Sequence, residues 1–460
     1  MTDADSRRTA PTPAPRWSSR FAFLMASIGA AVGLGNLWRF PFMAGQNGGS
    51  AFVITYIVCV AAIAYPIMMG EIAIGRRKRL SAVGSTAGLA ADIGRTRAWG
   101  AVGFLGLFAT FLVMTVYCVI AGKVIAYAAM AFAGVFSSPA PGESLPAYSG
   151  TASAILWQSV FLVATMIIVA RGLRSGVERM STLLMPAFFA MLAALSVYAL
   201  ATGDGRQALD YLFAPRFDEI TPAVALAALG QAFFSLAVGG GAMLTYGAFL
   251  DSKENIASNG AIIAGADTLV AIVAGLIIFP VVFSNGLDPA AGMSLIFDAL
   301  PRVFATMPFG AIIGGMFFAL AFIAAITTSI SMLLIAAVFI DERFGTSRLQ
   351  SVILLGAVAW AIGAASVVAP GLSEAIDFLA GNVLMPTAAL LGSVFAGWII
   401  PRAIMREELR AMSETMFRFW RFLIRYAAPI AVASILALGI DAKFGFGLNA
   451  LIESLGARTP

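Results

Sequence analysis

Residues 29–41 read Gly-Ala-Ala-Val-Gly-Leu-Gly-Asn-Leu-Trp-Arg-Phe-Pro, and they lie inside the first segment apolar enough to cross a membrane. A continuous membrane helix avoids such a run. Glycine in a helix interior costs about 1 kcal/mol against alanine, and each backbone group freed in hydrocarbon costs several more unless something satisfies it. The return for a break is a set of bare carbonyls and amides, which bind ions or polar ligands. The run Ala31-Val-Gly-Leu-Gly35 is nearly repeated as Ala237-Val-Gly-Gly-Gly241, again within an apolar segment and half a chain away. Paired glycine-interrupted segments in two halves of a chain point to a binding site at the centre of a transporter.

Side chains near the two breaks extend this chemistry. Asn36, Ser235, Thr327 and Thr328 offer oxygen ligands without burying a net charge. Singly, such serines and threonines would merely bond back to their own helices. Asp267 sits several residues into an apolar segment, where an ionised carboxylate is costly unless paired. Arg39 and Lys123 also fall inside spans, and Lys123 lies near an outer end where its stem can snorkel.

The elements that must position these residues follow from composition. The chain of 460 residues is 60% hydrophobic and 12% charged, against about 25% charged in a soluble domain. It has no histidine, which removes histidine triads, histidine metal sites and histidine pH switches. Cys59 and Cys118 both fall in apolar spans and read as small buried hydrophobes. Windows of about 20 apolar residues give eleven spans near 20–46, 51–75, 98–130, 152–170, 180–201, 223–250, 260–285, 309–340, 349–369, 374–399 and 420–441.

Lys and Arg gather in the N-terminal tail, 75–97, 171–179, 251–258, 341–348 and 402–425, while the other face carries Arg206, Arg216, Arg302, Lys443 and Arg458. That bias puts the N-terminus in the cytoplasm and reads the net charge of +5 as topology, not affinity for nucleic acid. The basic run Arg76–Arg79 reads as part of it. Residues 1–16 lack the apolar core of a signal peptide and are expected to be a disordered cytoplasmic tail. The connections 131–151 and 286–308 are expected to cap the outer face, and 402–425 to form an interfacial helix.

The residues at the breaks spell a known pattern. Gly33-Leu-Gly-Asn-Leu-Trp-Arg-Phe-Pro41 with Asn47-Gly-Gly-Ser-Ala-Phe52 resembles the first-helix signature of the neurotransmitter:sodium symporter family, in its bacterial amino-acid transporter branch. Gly230-Gln-Ala-Phe-Phe-Ser-Leu236 with Thr245-Tyr246 resembles its sixth helix, and Thr327-Thr-Ser329 its eighth. The resemblance runs from Trp17 to the tenth span and implies an all-α polytopic membrane protein of the inner (plasma) membrane. Its fold would be a 5+5 inverted repeat with helices 1 and 6 broken. The first repeat would cover 17–201, the second 202–399, and an interfacial helix, an eleventh span and a short tail the remaining 400–460.

By the same resemblance two sodium ions bind. One uses Ala31, Asn36, Ser235 and Asp267, and the other Gly29, Val32, Ala324, Thr327 and Thr328. The substrate carboxylate meets the amides of Leu34 and Gly35 and the Tyr117 hydroxyl. Its ammonium meets carbonyls of Ala31, Phe234 and Ser235, and its side chain meets Val113, Phe234, Ala237, Gly240, Thr328 and Met332. The family's leucine transporter carries a bulky aromatic and a serine where this chain has Gly240 and Ala237. Both changes suggest a larger, more apolar pocket for aromatic or other hydrophobic L-amino acids. The Asp267 position is usually asparagine in the family, so its charge is expected to replace a requirement for chloride. Arg39 and Asp377 would form the outer gate, Trp17 and Glu342 parts of the inner one. The inner gate's N-terminal basic residue is displaced, since Ala14 aligns with it and Arg16 lies two residues on. Glu71, near a cytoplasmic end, is expected to snorkel or to brace the inner gate.

Rival readings differ in class. A channel would need a polar stripe or charged ring along a pore, whereas the polar positions here cluster at two breaks. A membrane enzyme would need a nucleophile and base or a metal set, and none is evident. The same fold could instead carry a small neutral amino acid or an amine, or be driven by protons through Asp267. The sequence leaves the oligomeric state open.

Overall fold

The computed structural model describes residues 16–135, 150–290, 292 and 294–447. Most of the expected N-terminal tail, much of the connection 131–151 and the C-terminal tail lie outside these. All regular structure among the described residues is helical. The helices used below are α1 (Arg20–Ala31), α2 (Gly35–Gln46), α3 (Ser50–Lys78), α4 (Arg97–Phe132), α5 (Thr151–Ala170) and α6 (Leu173–Thr202). They continue with α7 (Pro222–Ser235), α8 (Ala242–Ala248), α9 (Ile256–Ser284), α10 (Gly310–Phe344), α11 (Arg348–Val368), α12 (Pro370–Ile399) and α13 (Glu414–Phe444).

Among the described residues nine helices are long and apolar enough to cross a membrane, or ten if the bent pair α1 and α2 counts as one span. The sixth expected span is two short helices, α7 and α8, and neither is long enough to cross alone. The apolar runs therefore fall where the hydropathy windows put them, and the two glycine-rich runs interrupt them.

The core lies along α10, the most buried of the long helices, which packs lengthwise on α4. Around this post α1 leans on α10, α6 and α9, while α8 lies against α3. The halves broken by glycine are therefore held by long unbroken helices.

Two connections are helical, and two local expectations change. The connection 286–308 contains the helical turns Leu295–Ala299 and Leu300–Thr306, and 202–222 holds the helix Gly205–Phe213. Segment 402–425 is not one interfacial helix: Arg402–Glu408 is short, and Glu414 already starts α13. The basic run is also more than a topology signal. Arg76 is buried, with Nε 2.8 Å from Glu408 Oε2, while Arg77 pairs with Glu407 and Lys78 with Asp92. A buried cation needs such a partner, so the connector before α13 is bolted to the end of α3.

Candidate functional site

The first break forms because residues 32–34 leave the helix. Val32 adopts an extended backbone (φ −71°, ψ 106°), and α1 and α2 diverge by 54°. The freed groups find partners on other elements. The Leu34 amide donates to the Tyr117 hydroxyl on α4 at 3.2 Å, and the Gly33 amide to Asn36 Oδ1 at 3.1 Å.

The second break, 236–241, requires left-handed backbone at Gly239 (φ +80°) and Gly241 (φ +77°), which glycine adopts without a steric penalty. Ala237 holds φ +48° in the same turn, a conformation that costs a residue with a β-carbon about 1–2 kcal/mol. Two buried side chains secure the loop. Glu71 Oε1 on α3 accepts from the Gly239 amide at 2.8 Å, and Thr110 Oγ1 on α4 donates to the Gly240 carbonyl at 2.7 Å. Glu71 thus neither snorkels nor reaches the inner surface. It braces the second break.

Between the breaks lie two oxygen clusters. In the first, the buried Asp267 carboxylate on α9 accepts from Ser235 Oγ at 2.6 Å, Asn36 Nδ2 at 2.7 Å and Tyr56 Oη at 3.3 Å. Asn36 Nδ2 also lies 3.1 Å from Ser235 Oγ. Helices α2, α3, α7 and α9 therefore meet at one carboxylate, whose burial is offset by three donors. Asn36 presents its amide nitrogen to Asp267; as a cation ligand it would turn its oxygen there and release the Gly33 amide.

In the second cluster, Thr328 Oγ1 faces the carbonyls of Gly29, Val32 and Ala324 at 3.3, 3.0 and 2.9 Å. A hydroxyl has one proton, so it cannot serve three acceptors. Thr327 Oγ1 adds a fifth oxygen, 3.2 Å from Ala324 O. This surplus of uncharged oxygens is what a hard monovalent cation takes in exchange for its water shell. The residues fit sodium.

A cavity of about 60 Å³ adjoins both clusters. Ala31, Leu34, Gly35, Val113, Tyr117, Phe234, Ser235, Ala237, Thr328 and Met332 all line it, as the sequence leads one to expect. Gly240 does not. A β-carbon there would sit 2.7 Å from Thr110 Oγ1 and 3.5 Å from Met385 Cε, so its side of the wall is already filled. Thr110 and Met385, absent from the expected set, both line the cavity. Thr110 was within reach of sequence reasoning, since it precedes Val113 by three and Tyr117 by seven residues on one helix face. Met385 carried no comparable signal.

A second cavity of about 470 Å³ shares Leu34, Tyr117, Phe234 and Met385 with the first and adds Arg39 and Asp377. The Arg39 guanidinium lies 4.2 Å over the Phe234 ring rather than in an ion pair with Asp377. On the opposite side Trp17 is buried, its Nε1 donating to Tyr246 O at 3.2 Å. Among the described residues Glu342 pairs with no basic residue of the N-terminal segment. Its carboxylate accepts from Ser81 N at 2.5 Å and Ser81 Oγ at 3.1 Å, at the start of the helix Ala82–Asp92 where the dipole favours an anion. Arg16 pairs instead with Asp251, and Ser18 donates from both N and Oγ to Glu178.

Comparison with known proteins places the chain in a family. The profile of the Sodium:neurotransmitter symporter family matches residues 14–140 and 148–448. The uncharacterised sodium-dependent transporter YhdH of Bacillus subtilis is 33% identical over 439 residues, 91% of this chain and 96% of its own. The sodium-dependent neutral amino acid transporter B(0)AT2 of Bos taurus is 23% identical over 61% of this chain and 42% of its own. The crystal structure of MhsT in complex with L-phenylalanine superposes with a TM-score of 0.85 at 35% identity, covering 92% of this chain and 99% of that one.

Proposed function

This chain belongs to the Sodium:neurotransmitter symporter family, and we propose that within it the protein is a symporter for hydrophobic and aromatic L-amino acids, driven inward by two sodium ions. It is a multi-pass membrane transporter that uses sodium, not an enzyme. The observation that carries the substrate reading is the Leu34 amide and Tyr117 hydroxyl, 3.2 Å apart at one wall of a cavity that also presents the apolar side chains of Val113, Phe234 and Met332. A half-helix N-terminus beside a phenol is a carboxylate site, and the cavity between the breaks leaves room for a side chain against Val113, Phe234 and Met332.

The arrangement supports a working cycle. Sodium at Gly29, Val32, Ala324, Thr327 and Thr328 ties α1 to α10, which stabilises one relation between the two repeats. A second sodium at Ala31, Asn36, Ser235 and Asp267 ties α2 to α7 and α9 and touches the substrate carboxylate, so ion and substrate bind together. With the Trp17 side packed and the larger cavity lined by Arg39 and Asp377, the arrangement corresponds to access from the outer face. Closure would bring Arg39 from the Phe234 ring onto Asp377. Domain boundaries at 17–201 and 202–399, a cytoplasmic N-terminus in the plasma membrane and independence of chloride belong to the same reading.

The test is uptake into proteoliposomes under a sodium or a potassium gradient. Saturable accumulation of tryptophan, phenylalanine or leucine that needs sodium supports the proposal. Glycine and alanine outcompeting tryptophan and leucine would overturn the size argument, and flux linear in substrate would indicate a channel.

A further inference from the structure

The wall that the sixth span leaves open is closed from elsewhere. Gly240 projects nothing into the cavity, and Thr110 and Met385 occupy the space a side chain there would take. Met385 comes from α12, at the point where the π-helical stretch Phe378–Leu384 returns to regular helix. Such stretches reposition side chains within a helix and recur at functional sites. The contact between the two elements is close at the backbone as well. The Met385 carbonyl oxygen would lie 2.5 Å from a β-carbon at Gly239, so only glycine there admits α12 to this distance.

Met385 is also among the residues that line both the 60 Å³ cavity and the 470 Å³ cavity. Its thioether therefore stands where a bound side chain would end and the wider space begin. Methionine is unbranched and polarizable and fills irregular gaps, so one residue can follow side chains of different length. A rigid aromatic on the sixth span could not.

We propose that Met385 is the size-selecting residue of the binding site, replacing from the tenth span the side chain that Gly240 lacks. The inference rests on the amino-acid reading above, and it assigns discrimination among hydrophobic amino acids to α12. A methyl or methylene more or less in an apolar pocket changes discrimination roughly 10- to 200-fold. Met385→Ala then shifts the inhibition ratio of L-tryptophan to L-leucine at least about tenfold toward tryptophan, and Met385→Phe shifts it the other way. Sodium dependence stays as in the parent, since Met385 touches neither oxygen cluster.

A swap isolates the site. Gly240→Met alone runs into Thr110 Oγ1, 2.7 Å from its β-carbon, and beyond it Met385, and loses uptake, whereas Gly240→Met with Thr110→Ala and Met385→Ala recovers it by returning the wall to the sixth span. Met385→Leu, close in volume, carries the measurement should the alanine variant misfold. Competition between L-tryptophan, L-leucine and L-alanine is measured in proteoliposomes for each variant. Ratios unchanged from the parent in both Met385→Leu and Met385→Phe overturn the inference while leaving the amino-acid reading intact. A parent protein that accumulates none of the three amino acids under a sodium gradient overturns that reading itself.

Discussion

The carboxylate of Glu71, from the second span, accepts the backbone amide of Gly239 at 2.8 Å inside the break of the sixth. An acid from the first half of the chain thus holds open the unwound segment of the second half. Its other oxygen, Oε2, is buried without a hydrogen-bond partner. The brace is therefore an acceptor placed for one amide.

Removing that acceptor should cost stability and transport together. Glu71→Ala leaves the Gly239 amide unpaired in the membrane interior, a loss of about 1–3 kcal/mol. Glu71→Gln keeps a carbonyl oxygen for the amide and should retain most of the stability. Thermal unfolding in detergent, compared with uptake, checks the order parent, then Gln, then Ala. An alanine variant as stable as the parent would contradict the bracing role.

Thr328 offers a sharper test of the sodium cluster. Thr328→Val keeps the shape but removes the hydroxyl oxygen that faces the carbonyls of Gly29, Val32 and Ala324. Half-saturating sodium should rise about tenfold or more, equivalent to about 1.4 kcal/mol. Thr328→Ser should stay within a few-fold. Sodium titration of amino-acid binding distinguishes the two.

Asp267→Asn removes the buried charge from the cluster with Asn36, Ser235 and Tyr56 and keeps the shape of the side chain, while one of its two acceptor oxygens becomes a donor. If that charge replaces an anion, the variant should transport poorly in gluconate and regain uptake when chloride is supplied. The parent should be indifferent to chloride. Equal uptake by the variant in both media would refute the role assigned to the carboxylate.

On the inner side, Glu178 holds Ser18 through the backbone amide at 3.1 Å and through its hydroxyl. Hydrogen bonds to a charged group contribute about 1.5–3 kcal/mol, so Glu178→Ala should loosen the start of α1. Hydrogen exchange of amides in Arg20–Ala31 should quicken about tenfold or more, since 1.4 kcal/mol is a factor of ten. Glu342→Gln should change these amides little, because Glu342 is bonded to Ser81 instead. Faster exchange in the Glu342 variant than in the Glu178 variant would assign the hold on α1 to Glu342 instead.

The sequence by itself determined where the apolar helices run and that two of them break. Glycine spacing and hydropathy are local properties, and they located the breaks at 32–34 and 236–241 to within a residue or two. Much of the cavity was legible through the matched motifs, because Leu34, Phe234 and Thr328 each sit within a run that carries its own pattern, while Tyr117 was reached only through the family resemblance. What only the tertiary structure decided was which neighbour fills each face. Gly240 looks from the sequence like empty space, yet Thr110 and Met385 close over it from two other helices. Arg76 reads as a topology signal, yet its partner Glu408 lies 332 residues away. Glu71 reads as a residue near the inner surface, and packing instead turned it to the second break; Glu342 stays on the inner side, but its partner Ser81 lies 261 residues away. Periodicity fixes the face of a helix on which a side chain stands, whereas the group opposite it depends on how separate helices pack.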